Sequence, residues 1–325
     1  MKNMLDKISS PIQSDLKEFD KHFINSLNSD VKTINTIVNY IVRKKGKRLR
    51  PRLSLLSAKI CGDVNIKTHK VASLLEILHV ATLIHDDVVD DSELRRGWPS
   101  VGKLWKNKLS ILVGDYLFSK ALTNMAAIES MTSVKILANL ASRLSQGEIL
   151  QIEKAISKNI NEETYFKMIS DKTASLFSAS CKLGAITATK DDKKITALSN
   201  FGELLGQAFQ IKDDLFDIVG NIGSTGKPSG YDLKKNMLTL PLIHIFDKMS
   251  ITEQRFFKIK LKMLLRKNKF KSIKKLIIEE GGIEYAESKL LEVSKSARYE
   301  LEIFKDCKEK DSLITALEFN LNRLG

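Results

Sequence analysis

The sequence predicts an all-α protein. Apolar residues recur at three-and-four spacing through almost the whole chain, strand-like alternation is scarce, and only 5 prolines and 16 glycines punctuate 325 residues. No repeat of fixed period and no low-complexity tract is present, which argues against a solenoid. With 43% hydrophobic and 28% charged residues, the chain has an ordinary globular composition and is long enough to bury a large core.

In order along the chain, residues up to about Asp30 read as one amphipathic helix, with Ile12, Leu16, Phe19, Phe23, Ile24 and Leu27 at helical spacing. A second helix from about Val31 to Arg43 leads into Gly46 to Pro51, GKRLRP, read as a glycine-started, proline-stopped turn. Its Lys47, Arg48 and Arg50 can present donors to a diphosphate, or can form a basic loop held in solvent.

Asn65 to Asp91 is the next helix, ending in LIHDDVVDDSELRRGWPS. At about 100° per residue, Glu76, His79, Leu83, Asp86, Asp87 and Asp90 share one face, and Val71, Leu74, Leu75 and Leu78 take the core side. Carboxylates gathered on one rigid face call for a hard cation among them, and magnesium fits best because it takes one or two carboxylates plus substrate phosphates. A solvated acidic helix end is the alternative for this motif alone. Arg95 and Arg96 follow within a few residues, so acid and base lie close together.

Lys108 to about Ile128 and Val134 to Ile152 continue the helical pattern. Small residues in the first of these allow close helix approach or line an apolar cavity. Glu162 to Thr189 carries Lys172 and Thr173, a cation beside a hydroxyl. Gly202 to Val219, GELLGQAFQIKDDLFDIV, holds a second DDxxD in Asp213, Asp214 and Asp217, with Gln210 one turn earlier. A glycine-punctuated loop with Lys227, Asp232, Lys234 and Lys235 follows. Two helical DDxxD motifs, each followed by basic residues, imply metal held from both sides. From Phe256 onward the helices are amphipathic and carry no comparable constellation.

The net charge of +14 favours an anionic partner: nucleic acid, an anionic membrane surface or a phosphorylated small molecule. The dense basic run from Lys258 to Lys275 lacks interleaved aromatics, which speaks against nucleic acid. It reads as a solvated helix face or as loose contact with a membrane surface. Cys61, Cys181 and Cys307 are odd in number, far apart and without histidine at ligand spacing, as in a reduced compartment. No apolar leader and no segment long and apolar enough to span a membrane occurs, so the expected location is the cytoplasm.

Taken together, GKRLRP, ExxHxxxLIHDDVVDD with LRRG, VGDYL, KT, FQIKDDLFD and GKPSGYDL with TLPLI resemble, in order from about Gly46 to Leu242, the trans-isoprenyl diphosphate synthases, or polyprenyl synthetase family. The resemblance implies a single domain over residues 1–325, with core motifs in 46–242 and a C-terminal helical region in 250–325. It also implies an all-helical bundle around a deep central cavity, in a homodimer. On the same basis, Asp86, Asp87 and Asp90 bind magnesium from one side, and Asp213 and Asp214 from the other, with Asp217 weaker or indirect. Lys47, Arg50, His79 and Arg96 resemble the isopentenyl diphosphate site, and Arg95, Lys172 and Lys227 resemble the cations on the allylic diphosphate. Thr173 and Gln210 resemble the polar pair that steadies a developing cation.

In the family the residues four and five places before the first aspartate act as a floor for the growing chain, and here they are Thr82 and Ala81, both small. The apolar tail is then expected to descend between this helix and the one that follows. The LIHDDVVDD and RRG wording looks most like long-chain octaprenyl-type synthases that make quinone side chains. Geranylgeranyl or heptaprenyl synthesis is the nearer alternative, and a product-shaping helical subunit the non-enzymatic one. Asn236 and Met237 stand where the family usually has Gly-Lys, so the lysine expected there on the allylic diphosphate is missing and Lys234 or Lys235 is left to reach in its place.

Overall fold

A computed structural model describes residues 2–43, 46–95, 97–157, 159–219, 233, 235 and 237–321. Arg96, Lys227, Asp232, Lys234 and Asn236 lie outside the described residues. The chain is helical, as its periodicity predicts, and it divides into two compact units.

Unit 1 comprises residues 1–141, 176–202 and 298–319. It opens with α1 (Lys2–Ser9), a 3₁₀ turn (Ser10–Ile12) and α2 (Gln13–Ser26), so the single N-terminal helix expected from spacing is two. Pro11 lies in the 3₁₀ turn, where its missing N–H breaks the ladder. Next come α3 (Lys32–Arg43) and α4 (Leu49–Cys61). Pro51 does not stop a turn before α4, as the sequence reading had it. It sits in the first turn of that helix, where a missing N–H costs nothing.

The helix at the centre of this unit is α5 (Ile66–Val89). Asn65 caps it by accepting from the Lys67 and Thr68 amides, while its own backbone N–H donates to the Thr68 hydroxyl oxygen. Every residue from Val71 to Leu78 is buried, Glu76 included, so this half is enclosed on all sides rather than split into core and polar faces. A short antiparallel ribbon, β1 (Leu94–Arg95) with β2 (Trp98–Pro99), follows. Its turn uses Gly97 at φ +76°, a conformation cheap only for glycine.

The helix α6 (Val101–Ala126) begins earlier than expected and bends at Lys106, and it packs along α5. His85 of α5 lies against Gly114, where an added Cβ would come within 2.2 Å of the imidazole. Here α5 and α6 are in close contact. The helix α7 (Met131–Ser157) passes from unit 1 into unit 2 in sequence.

Unit 2 comprises residues 142–175, 203–297 and 320–325. Its α8 (Glu162–Ile169), capped by Asn161, runs into a π-helical turn, Ser170–Ala174, before α9 (Ser175–Ile186). The helix α10 (Asp192–Val219) ends in the second acidic motif. Four more helices follow: α11 (Leu240–Lys248), α12 (Ile251–Arg266), α13 (Phe270–Glu279) and α14 (Gly282–Glu300); α15 (Lys308–Leu321) belongs to unit 1 as far as Phe319. Tyr165, Ile211, Leu215, Phe257 and Ile277 belong to this unit's apolar core.

Candidate active site

The geometry of unit 1 follows from where α5 carries its polar residues. Asp86 and Asp90 are one turn apart, about 40° from each other around the helix, and both side chains are partly exposed. Asp87 points elsewhere and is buried, and both its oxygens accept from Nε of Arg95, at 2.7 and 2.8 Å. Of the three sequence candidates in this motif, one is therefore tied to a candidate cation.

His79, Asp87 and Arg95 line one cavity of about 100 Å³, together with Arg48, Glu76 and Leu83. Arg48 caps α4 in a left-handed conformation at φ +47° and is ion-paired with Asp20. Burial lowers its pKa and the charge of Glu76 opposes that shift. Arg50 lies in the first turn of α4 with Nη1 2.9 Å from Nε2 of His79 and its guanidinium 4.5 Å from the centre of the Phe177 ring. A guanidinium only donates, so His79 Nε2 is the acceptor and Nδ1 is the ring's donor. Lys47 places Nζ 4.8 Å from the centre of the Phe319 ring. Ala81 is fully buried, and Thr82 donates its hydroxyl to the carbonyl of His79 at 2.9 Å.

In unit 2 the second motif repeats the pattern of the first. Asp213 and Asp217 are a turn apart and partly exposed, whereas Asp214 is buried. Tyr165 donates to Asp214 Oδ2 at 2.7 Å, and Gln210 donates its amide to Oδ1 at 2.8 Å. The Gln210 carbonyl accepts from Thr173 at 2.8 Å, so Thr173, Gln210, Asp214 and Tyr165 form one hydrogen-bonded series.

Lys172 and Thr173 sit in the π-helical turn, a local widening often found at functional sites. Lys172 pairs with Glu148 of α7 at 2.6 Å. The turn is held by Asp171, which accepts from Arg143 at 2.7 Å and Lys167 at 2.8 Å, while Arg143 also reaches Glu203. Burial raises the Asp171 carboxyl, but these two cations outweigh it and hold it below the usual carboxylate range. Gly147 permits the approach of α7, since a Cβ there would lie 2.4 Å from the Lys172 amide nitrogen. Sequence reasoning missed Arg143, Gly147, Glu148, Tyr165 and Asp171. The one available signal was the one-turn spacing of Arg143, Gly147 and Gln151 on α7, and it did not name their partners.

Among the described residues, no group of three or more His, Cys, Asp or Glu side chains is arranged to hold a metal ion by itself. The paired outer aspartates of each motif still fit magnesium, a hard ion that draws on one or two carboxylates and completes its shell with phosphate and water oxygens.

The polyprenyl synthetase family model matches residues 31–279. The chain belongs to the polyprenyl synthetase family. It is therefore a prenyltransferase, of the kind that makes trans-prenyl diphosphates. Octaprenyl diphosphate synthase of Haemophilus influenzae is 30% identical over 319 residues, covering 98% of this chain and 97% of that protein. Heptaprenyl diphosphate synthase component 2 of Geobacillus stearothermophilus is 35% identical over 234 residues, 72% of this chain and 73% of that one. Among solved polyprenyl synthetases, a decaprenyl diphosphate synthase from Rhodobacter capsulatus superposes with a TM-score of 0.92 at 31% identity, covering 99% of each chain. A polyprenyl synthase from Caulobacter crescentus, complexed with calcium and isoprenyl diphosphate, gives 0.90 at 31%, covering 98% of this chain and 97% of that one.

Proposed function

We propose that this polyprenyl synthetase uses magnesium to add isopentenyl diphosphate repeatedly to an allylic diphosphate such as farnesyl diphosphate, giving an octaprenyl-type product for quinone side chains. The observation that carries this reading is the shared geometry of the two motifs. In each, the first and last aspartates lie a turn apart and partly exposed, and the middle one is buried and held.

On this reading Asp86 and Asp90 hold magnesium in unit 1 and Asp213 and Asp217 do so in unit 2, while Asp87 and Asp214 position their neighbours. This changes the ranking drawn from resemblance, in which Asp217 was the weaker ligand. Bound magnesium supplies charge neutralisation to a departing diphosphate. Arg95 binds Asp87 through Nε, which leaves its terminal amino groups for phosphate oxygens, and Lys172, steadied by Glu148, offers a second cation. Lys47, Arg50 and His79 take the diphosphate of isopentenyl diphosphate, with His79 Nδ1 as donor, and Arg96 and Lys227 join these sets by resemblance.

The allylic C–O bond breaks and its electron pair leaves with diphosphate. The double bond of isopentenyl diphosphate attacks the resulting cation, and transfer of a proton from the condensed cation to the released diphosphate restores a double bond. Thr173 and Gln210, fixed by their mutual hydrogen bond, direct oxygen dipoles that steady the cation. Small Ala81 and Thr82 leave room for growth beneath the first motif.

We take residues 1–325 as one polyprenyl synthetase domain, acting in the cytoplasm as a homodimer. The exposed Ile111, Leu112 and Leu122 of α6 support a partner copy. Among the described residues no helix is long and apolar enough to cross a membrane. The test is incubation with magnesium, isopentenyl and farnesyl diphosphates, then chromatography of the dephosphorylated chains. A long linear product is expected, and a single cyclised hydrocarbon would refute the reading. A second reading comes from the component 2 relative: inertness alone, with activity restored by another polypeptide, would make this chain one half of a two-part synthase.

A further inference from the structure

In α12, Phe257 and Leu261 are buried in the core of unit 2, and the opposite side of the helix carries Phe256, Ile259 and Met263, exposed by 69%, 58% and 48%. At about 100° per residue these three fall within about 60° of one another, a continuous apolar stripe on the outside of the molecule's own fold unit. Cations flank it on both sides. Arg255, Lys262 and Arg266 lie along one edge and Lys260 along the other, all exposed. From Ile251 to Glu279, ten Lys or Arg stand against two Glu, so α12 and α13 carry much of the chain's net charge of +14.

We propose that this face of α12 is a docking surface for an anionic lipid bilayer, with the cations of α13 adding to the positive field of the same unit. A helix with one side anchored in protein, and the other presenting an apolar stripe between rows of Lys and Arg, has the pattern of an interfacial helix. The stripe enters the boundary between headgroups and acyl chains, and the flanking cations meet lipid phosphates. Lys and Arg stems long enough to snorkel let both contacts form at once.

Two other occupants fit less well. A second copy of the chain would bring two strongly cationic faces together, which like-charge repulsion opposes. Nucleic acid would satisfy the charge but not the stripe, because Ile259 and Met263 offer no ring for base stacking and Phe256 stands alone. A bilayer answers both features. It would also keep a lipid-metabolising enzyme next to the phase its product enters.

The experiment is co-sedimentation of the full chain with vesicles of phosphatidylcholine, with and without phosphatidylglycerol, at low and high salt. Binding is expected only to the anionic vesicles and is expected to weaken with salt, since exposed charges are screened over about 10 Å at 0.1 M. Replacing Lys260 and Lys262 with Gln should lower partitioning by about fivefold per cation removed. Phe256→Ser with Ile259→Ser should lower it about tenfold or more while leaving soluble turnover unchanged. All four positions are exposed, and circular dichroism checks that the variants fold. Asp86→Ala should bind vesicles as well as the parent, which separates this proposal from the catalytic one. No binding, binding indifferent to the serine substitutions, or loss of self-association in the serine variant with vesicle binding unchanged would overturn it. RNA binding with the same salt dependence and no contribution from Phe256 would also overturn it.

Discussion

Replacing Tyr165 with Phe removes one oxygen from a fully buried side chain and creates no cavity for a methylene. What changes is Asp214, whose Oδ2 loses the phenol donor at 2.7 Å while the Gln210 bond to Oδ1 remains. A hydrogen bond to a charged group contributes about 1.5–3 kcal/mol, and a buried carboxylate deprived of one forfeits that much or more. Urea denaturation should therefore show a loss of about 1.5–3 kcal/mol. Because Asp214 lies between Asp213 and Asp217 on the same helical turn, release of its carboxylate should also loosen metal binding by about tenfold, the lower end for groups that orient metal ligands. Manganese titration followed by electron paramagnetic resonance reads this without turnover. A Tyr165→Phe chain within about 0.5 kcal/mol of the parent, and with unchanged manganese affinity, would show that the bond does not position the motif.

The other predictions concern the same two clusters. Asp86→Ala and Asp213→Ala should abolish product formation with the helical content intact by circular dichroism, whereas Asp87→Ala should also lower the denaturation midpoint because it strips Arg95 of its acceptor. Gly147→Ala should destabilise the chain by about 1–3 kcal/mol through overpacking against the Lys172 backbone, outweighing the roughly 1 kcal/mol that alanine gains over glycine in a helix. Thr82→Phe, at a partly buried position, should shorten the product seen by chromatography. Ala81→Phe should do so only with loss of stability, since that site is fully buried. Asp171 is held below its unfolded value, so its contribution to stability is present above about pH 3.9 and lost as pH falls through the lower folded value. The stability gap between the parent and Asp171→Asn should close across that acid range and stay constant at neutral pH.

Local features were legible in the sequence where a local cause fixes them. Asn65 with Thr68 sets the start of α5 and the apolar periodicity carries it to Val89, so this helix lies where spacing places it. Pro51 was misread as the stop of a turn, and Pro11 was passed over inside a helix. Both rings remove an N–H, but Pro51 falls in a first turn that has no use for it, and Pro11 falls where a helix would have needed one. The π-helical turn at Ser170–Ala174 widens a helix for a single turn, too briefly to disturb an apolar period read over longer windows. Arg143, Glu148 and Tyr165 were not legible because their partners stand 28, 24 and 49 positions away. Nothing in the neighbourhood of any of them marks it as more than a polar group on an amphipathic helix.

The same distinction bears on the aspartates. In a DDxxD helix the first and last carboxylates are about 40° apart and the middle one is about 60° from the last, so geometry alone separates an outer pair from an inner residue. It does not say what receives the inner one. In the first motif the receiver is a cation, Arg95, and in the second it is a phenol and an amide, Tyr165 and Gln210. In the first a guanidinium reaches both oxygens of the middle carboxylate, and in the second a phenol and an amide reach one each. The two motifs should therefore respond differently to salt and to conservative replacement. Arg95→Lys keeps the charge but replaces a planar donor with a point charge on a different stem, so it should weaken the first motif more at high ionic strength than at low. Tyr165→Phe should weaken the second equally at both. A common salt dependence for the two variants would mean that the buried aspartates are held by something other than the partners seen beside them.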